Sequence, residues 1–176
     1  MEKNRKDWIK IITICIVIIQ TIIIFGLLGF EQTTTSCPEA MPKDFNFIAS
    51  IESNSYIIDT YNGTCTKTIS WEKDTTITLC LTREEKELIY KTISKINIYS
   101  YPENYAPIST ISVSPTFTFS IKMTIEGKER SINWTENTES ETKDAKRLRR
   151  LFEKIAEQLE NHKEIKELPE DERVFF

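Results

Sequence analysis

Few side chains in this sequence have the type and spacing that chemistry requires. Paired carboxylates can do acid and base work without histidine, and the carboxylate that stands out is Asp59, because it interrupts the apolar stretch YIIDTY from Tyr56 to Tyr61. Period-two alternation gives Asp59 a second reading, on the solvent side of a strand or bonded to the turn that follows. His162 is the sole histidine and lies in a charged stretch at a helix end, where a cation suits the helix dipole. With one histidine and neither C-x-x-C nor H-x-x-x-H spacing, a zinc site lacks its usual ligands. There is no G-x-S-x-G, P-loop or dinucleotide fingerprint, and two of the four glycines fall in an apolar N-terminal run. The sequence therefore assigns no catalytic, cofactor-binding or metal residue, and expects no cofactor.

Two other residue types carry candidates. Of the four cysteines, Cys15 sits inside the apolar run and Cys37, Cys65 and Cys80 follow it. Cys65 and Cys80 fall in two strand-like stretches, TCTKTIS and TITLCL, so they are either a candidate disulfide or two buried free thiols. Cys37 is left as a free thiol, an intermolecular link or a candidate lipidation site. The tyrosines Tyr99, Tyr101 and Tyr105 lie in a segment of about eighteen residues from Ile98 to Pro115 that holds three prolines and little charge. Such rings either present amphipathic contact area to a partner or pack back on the sheet. They are the candidate partner-binding residues.

The elements that would position these residues begin with Ile11 to Phe30, twenty residues without a charge. At about 1.5 Å per residue a helix of that length spans the hydrocarbon core of a bilayer. Cations precede the run, Trp8 sits at its near boundary and Glu31 follows, so residues 1–10 are expected in the cytoplasm and the rest outside. The run is either a retained signal anchor, a signal removed ahead of a lipidated Cys37, or one cleaved to release a secreted form. The net charge of −4 becomes about −6 when the charges ahead of the run are set aside. An acidic ectodomain is poorly suited to nucleic acid, which needs clustered cations. The local exception, Lys146, Arg147, Arg149 and Arg150, is followed by Glu153 and Glu157 on one helix and reads as a salt-bridged face.

Residues 31–43 are rich in Thr, Ser and Pro and read as a stalk, leaving 44–176 as the extracytoplasmic domain. Phe45, Phe47, Ala49 and Ile51 alternate as a strand, and Asn62-Gly63 predicts a tight type I′ hairpin between YIIDTY and TCTKTIS. Trp71-Glu72-Lys73-Asp74 reads as a polar loop. Thr82 with Glu85 forms a T-x-x-E capping box ahead of a helical stripe of Leu88, Ile89, Ile93 and Ile96. Phe117 to Ile125 alternates strictly, Glu126-Gly127-Lys128 turns it back, and a second helix is expected from about Glu141 to Asn161. The order β-β-β-α-β-β-α predicts an α+β fold: an antiparallel sheet of about five strands with two helices on one face, preceded by one N-terminal transmembrane helix.

DFNFIAS, IDTYNGTCTK, the block TITLCLTREEKELIYKTISKINIYSYP, the hairpin IKMTIEGKERSINW and the late helix ending in KELP together resemble a group of small bacterial cell-envelope proteins often labelled lipoproteins. The resemblance covers most of residues 44–169. It implies a bacterial, extracytoplasmic protein and transfers no functional residue. The expected function is a membrane-anchored, non-enzymatic module that binds an envelope protein or peptide, with residues 11–30 in the membrane. The alternatives are a carboxylate-based enzyme acting on envelope material and a sensor accessory to a membrane protein.

Overall fold

A computed structural model describes residues 37–106, 116–136 and 142–173. The expected transmembrane run Ile11–Phe30 lies outside them, and among the described residues no helix is long and apolar enough to cross a membrane.

The strands are β1 (Asn46–Ile51), β2 (Tyr56–Asp59), β3 (Thr64–Ser70), β4 (Lys73–Thr78), β5 (Asn104–Tyr105), β6 (Phe117–Ile125) and β7 (Lys128–Glu136). The helices are α1 (Arg83–Ile96), α2 (Lys143–Glu160) and the single turn α3 (Lys163–Lys166). One sheet runs β4-β3-β2-β1-β6-β7-β5. This corrects the expected architecture: the class is α+β, but the sheet has seven strands and is mixed. TITLCL overlaps a fourth strand of its own, β4, whose ladder starts earlier, at Lys73. β5 then joins β7 in parallel, Asn104 opposite Asn133 and Tyr105 opposite Trp134. A two-residue strand shows no periodicity, so its pairing is set by the return of the chain from α1, with Asn133 N donating to Glu103 O at 2.6 Å.

The strict alternation in β1, β6 and β7 buries Phe47, Ala49, Ile51, Phe119, Ile121, Met123, Ile125, Ile132 and Trp134 on one face. Ile89, Tyr90, Ile93 and Ile96 of α1 and Leu148, Leu151, Phe152, Ile155 and Leu159 of α2 join them in a single core. Trp134, Phe119 and Phe152 form a triangle of rings, with centroid separations of 4.8, 5.0 and 5.9 Å. Both bonds of the capping box at Thr82 and Glu85 are formed, and Thr142 caps α2 through Ala145 N.

The turns obey local chemistry. Glu126 and Gly127 have φ of 50° and 70°, as a type I′ hairpin requires, and the Asp44 carboxylate accepts from both their amides. The type I′ turn expected at Asn62-Gly63 is not formed. Only Gly63 has positive φ there, and the pair closing the ladder is Asp59 with Thr64, leaving a four-residue loop. The cause is Asp59, whose Oδ1 accepts from Tyr61 N at 2.8 Å and Asn62 N at 3.1 Å and so stabilises a right-handed turn before Gly63.

Candidate functional site

Asp59 is therefore a turn residue: besides the two amides, its Oδ2 accepts from Asn62 Nδ2 at 2.6 Å. The three tyrosines turn inward. Tyr101 is buried, its hydroxyl donates to Asp144 O at 3.3 Å, and burial with nearby Asp144 pushes its pKa up to about 12. Tyr105 packs edge-on against Tyr101 and shares a 2.9 Å hydrogen bond with Thr142 Oγ1 at the cap of α2. Tyr99 is half-buried against the core. Tyr101 and Tyr105 tie the start of α2 to the sheet, and Tyr99 packs on the core.

Among the described residues, Cys37, Cys65 and Cys80 are separate free thiols. Cys65 lies in the core, where burial raises its pKa to about 11, while Cys80 is exposed beyond the end of β4. Register places Cys65 opposite Ile77, on the core side of the sheet. Cys37 is half-buried against the core, and burial raises its pKa too. The following residue accepts the Tyr90 hydroxyl at 2.8 Å through Pro38 O, so the described end of the stalk, 37–43, lies against the domain. His162 Nε2 is 3.0 Å from Glu85 Oε1, and Glu85 Oε2 accepts from Thr82 N. Its carboxylate thus joins the cap of α1 to the α2–α3 junction.

With the helices packed on one side, the opposite sheet face carries the other residue of each alternation. Cross-strand register sets Ser131, Lys122, Ile48, Asp59, Thr64 and Thr78 in one row, and Asn133, Ser120, Ser50, Ile57, Thr66 and Thr76 in the next. Hydroxyls and amides dominate this face, as in the 2.8 Å pair of Thr66 and Thr76.

At one end of the face stands the loop joining β1 to β2. Glu52, Ser53 and Asn54 have φ of 47°, 54° and 69°, three consecutive non-glycine residues in the left-handed region. Each costs about 1–2 kcal/mol, so the neighbours must over-determine the loop. They do: Ser53 N donates to Thr118 O at 2.8 Å, Thr68 Oγ1 donates to Asn54 O at 2.9 Å, and Ser55 Oγ donates to Glu52 O at 2.9 Å. The C-terminal segment adds a clamp. Glu172 N donates to Ile69 O at 2.8 Å, and Arg173 Nη2 donates to Ser55 Oγ at 2.7 Å. Asp171 pairs with the same guanidinium, whose hydrogen bonds hold that carboxyl below the usual range.

The guanidinium Cζ lies 5.7 Å from the centre of the Trp71 ring. Trp71 occupies the two-residue turn between β3 and β4 and is 69% exposed. Between it and the strained loop is an open cleft of about 430 Å³, lined by Asn54, Ile57, Thr68, Trp71, Asp74 and Arg173 among others. A smaller hollow of about 210 Å³ lies across β1, β6 and β7, past Ser50, Ser120 and Asn133, with Asn54 lining both. In the sequence Trp71 reads as part of a polar loop, and the signal that marks it is an indole set among Ser70, Glu72, Lys73 and Asp74.

A different hollow, of about 180 Å³, brings together carboxylates that the sequence did not connect. Glu52, Glu136 and Glu153 surround a base of Ile51, Phe119 and Phe152, with Glu136 paired to Arg149 at 2.5 Å. Among the described residues no group of acidic, His or Cys side chains could hold a metal ion. Among the described residues, helices thus cover one face of the α+β sheet and leave the other uncovered. No protein-family model, curated protein or solved structure matches the chain.

Proposed function

We propose that residues 37–173 form a non-enzymatic binding module of the cell envelope, held outside the membrane by the apolar run 11–30, and that the uncovered sheet face does the binding. The observation that carries this reading is the cleft between Trp71 and the strained loop. A large exposed ring beside a backbone that stores strain, on a face that none of the described helices covers, is the arrangement expected of a site built to meet something else. The inward packing of Tyr99, Tyr101 and Tyr105 moves the contact surface away from the segment that the sequence favoured. The membrane placement is supported by the uncharged length of the run and by the cations ahead of it. In cells, a photo-reactive residue at Thr76 on the uncovered face should give cross-linked adducts, whereas one at Arg150 on α2 should not. Equal yields at the two positions would refute the assignment.

A second reading, an enzyme acting on envelope material through carboxylates, is favoured by the hollow of Glu52, Glu136 and Glu153. Arg149 occupies Glu136 as a hydrogen-bond acceptor, which leaves Glu52 and Glu153 for acid and base roles. Glu153→Gln, which keeps size and removes the charge, would abolish turnover on this reading and leave binding at Trp71 unchanged.

A further inference from the structure

We infer that the cleft beside Trp71 is a binding site for an uncharged oligosaccharide strand, laid across the sheet from Trp71 past Asn54 toward Asn133. The inference rests on the reading of the uncovered face as a binding surface and names its ligand.

A sugar ring has apolar C–H faces and a rim of hydroxyls, each at once donor and acceptor. The cleft presents both complements. Trp71 offers a broad apolar ring on the turn between β3 and β4, and its orientation is set in advance: the guanidinium over it is itself only 5% exposed at its side chain and is anchored on Asp171 and Ser55. The floor is hydroxyl and amide: Thr68 and Ser70 from β3, and Asn54 from the strained loop. Asn54 Oδ1 already accepts from Ser50 Oγ, which leaves the amide's N–H donors for a ligand.

Charge narrows the class. Arg173 is matched by Asp171, and Lys73 is flanked by Glu72 and Asp74, so the lining has no cationic excess to recruit a phosphate or carboxylate polymer. Extent narrows it further. The cleft and the smaller hollow meet at Asn54 and together run from β3 across β2, β1 and β6 to β7, four strand spacings or about 19 Å. That is the reach of several linked sugars, not of one. A protein partner is disfavoured because an interface core needs several clustered apolar anchors, and among the described residues Trp71 is the one strongly exposed large ring bordering the cleft.

The strained loop gives the site its rigidity. Asn54 lines both hollows, and its loop is held without a ligand by bonds donated from Thr68 Oγ1 to Asn54 O, from Thr118 N to Ser53 Oγ and from Arg173 Nη1 to Ser53 O.

Titration of the full-length protein in lipid nanodiscs with chitotetraose and cellotetraose, followed by calorimetry and by the Trp71 indole N–H resonance, tests this. At least one tetrasaccharide should bind and shift that resonance. Trp71→Ala should weaken binding at least about tenfold, Trp71→Phe less, Asn54→Ala severalfold, and Arg150→Ala not at all. Should Trp71→Ala not fold, Trp71→Phe and the indole shift of the unaltered protein decide. No binding of either tetrasaccharide at millimolar concentration, binding that Trp71→Phe and Asn54→Ala leave untouched, or preference for poly(glycerol phosphate) over both would overturn the inference. If the sugars fail while adducts at Thr76 persist, the ligand class is wrong and the sheet-face reading stands.

Discussion

Gly63→Ala tests how the turn that carries β2 into β3 is held. Gly63 has φ of +64°, and a Cβ built there would lie 2.6 Å from Cys80 Sγ. Two costs follow. An alanine forced into the left-handed region loses about 1–2 kcal/mol relative to glycine. The contact with sulfur is far inside van der Waals distance, but Cys80 is exposed and can turn about one bond, so overpacking adds only about 1 kcal/mol. The unfolded chain loses freedom when glycine becomes alanine, which offsets about 0.7 kcal/mol. The net loss should be about 2 kcal/mol, or a fall in Tm of about 6 °C for a domain of this size. Cys80→Ala alone should stay within about 0.5 kcal/mol of the parent, and the double variant Gly63→Ala with Cys80→Ala should regain about 1 kcal/mol. Urea unfolding of the full-length protein in detergent, for all four members of the cycle, measures each term. If Gly63→Ala were as stable as the parent, the left-handed turn would be refuted. If its cost were the same with and without the Cys80 sulfur, the contact would be.

Three further outcomes are expected. Under native conditions at pH 8 a maleimide should label Cys80 quickly and leave Cys65 untouched until the protein unfolds, because burial keeps that thiol protonated with a pKa of about 11; a mass lower by two hydrogens with both cysteines in one cross-linked peptide would refute their separation. Trp134→Phe should cost only about 1 kcal/mol by thermal melting, well under the cost of truncating a buried ring, because the buried indole N–H has no hydrogen-bond partner and its removal ends a desolvation penalty. Docking of the C-terminal segment should weaken in acid: the Arg173 hydrogen bonds lower the Asp171 pKa from 3.8, so their contribution is complete above about pH 4 and is lost as pH falls through the depressed value. Hydrogen exchange at the Glu172 amide should report that loss, and Asp171→Asn should remove the pH dependence.

The parts of this fold that could be read from sequence are those decided within a few residues. Thr82 and Glu85 satisfy each other's backbone donors three positions apart, so the start of α1 was visible as a pair of letters. The alternation of β6 and β7 is likewise a local record of which side faces the core. Asn62-Gly63 misled because its preference was outbid by a neighbour: the Asp59 carboxylate takes the Tyr61 and Asn62 amides and sets a different turn. The tyrosines left two readings open for another reason. A phenol serves equally as a surface anchor or as a buried ring with one bonded end, and only the position of Asp144 and Thr142 in space decides for Tyr101 and Tyr105.

The cleft was out of reach of any window on the chain. Asn54, Trp71 and Arg173 are far apart in sequence, and each alone looks ordinary: a turn amide, a loop aromatic and a cation near the C-terminus. Their meeting depends on the length of two hairpins. β1–β2 and β3–β4 turn at the same end of the sheet, so the strained loop and the Trp71 turn become neighbours there, and the C-terminal segment is caught between them by the Ile69 carbonyl and the Ser55 hydroxyl. Lengthening either hairpin by two residues would keep every side chain on its face yet carry one wall of the cleft beyond the other by about 7 Å. The core would tolerate that change better than the cleft would. The paired turn positions, more than the residues that line them, are what the fold supplies to a binding site.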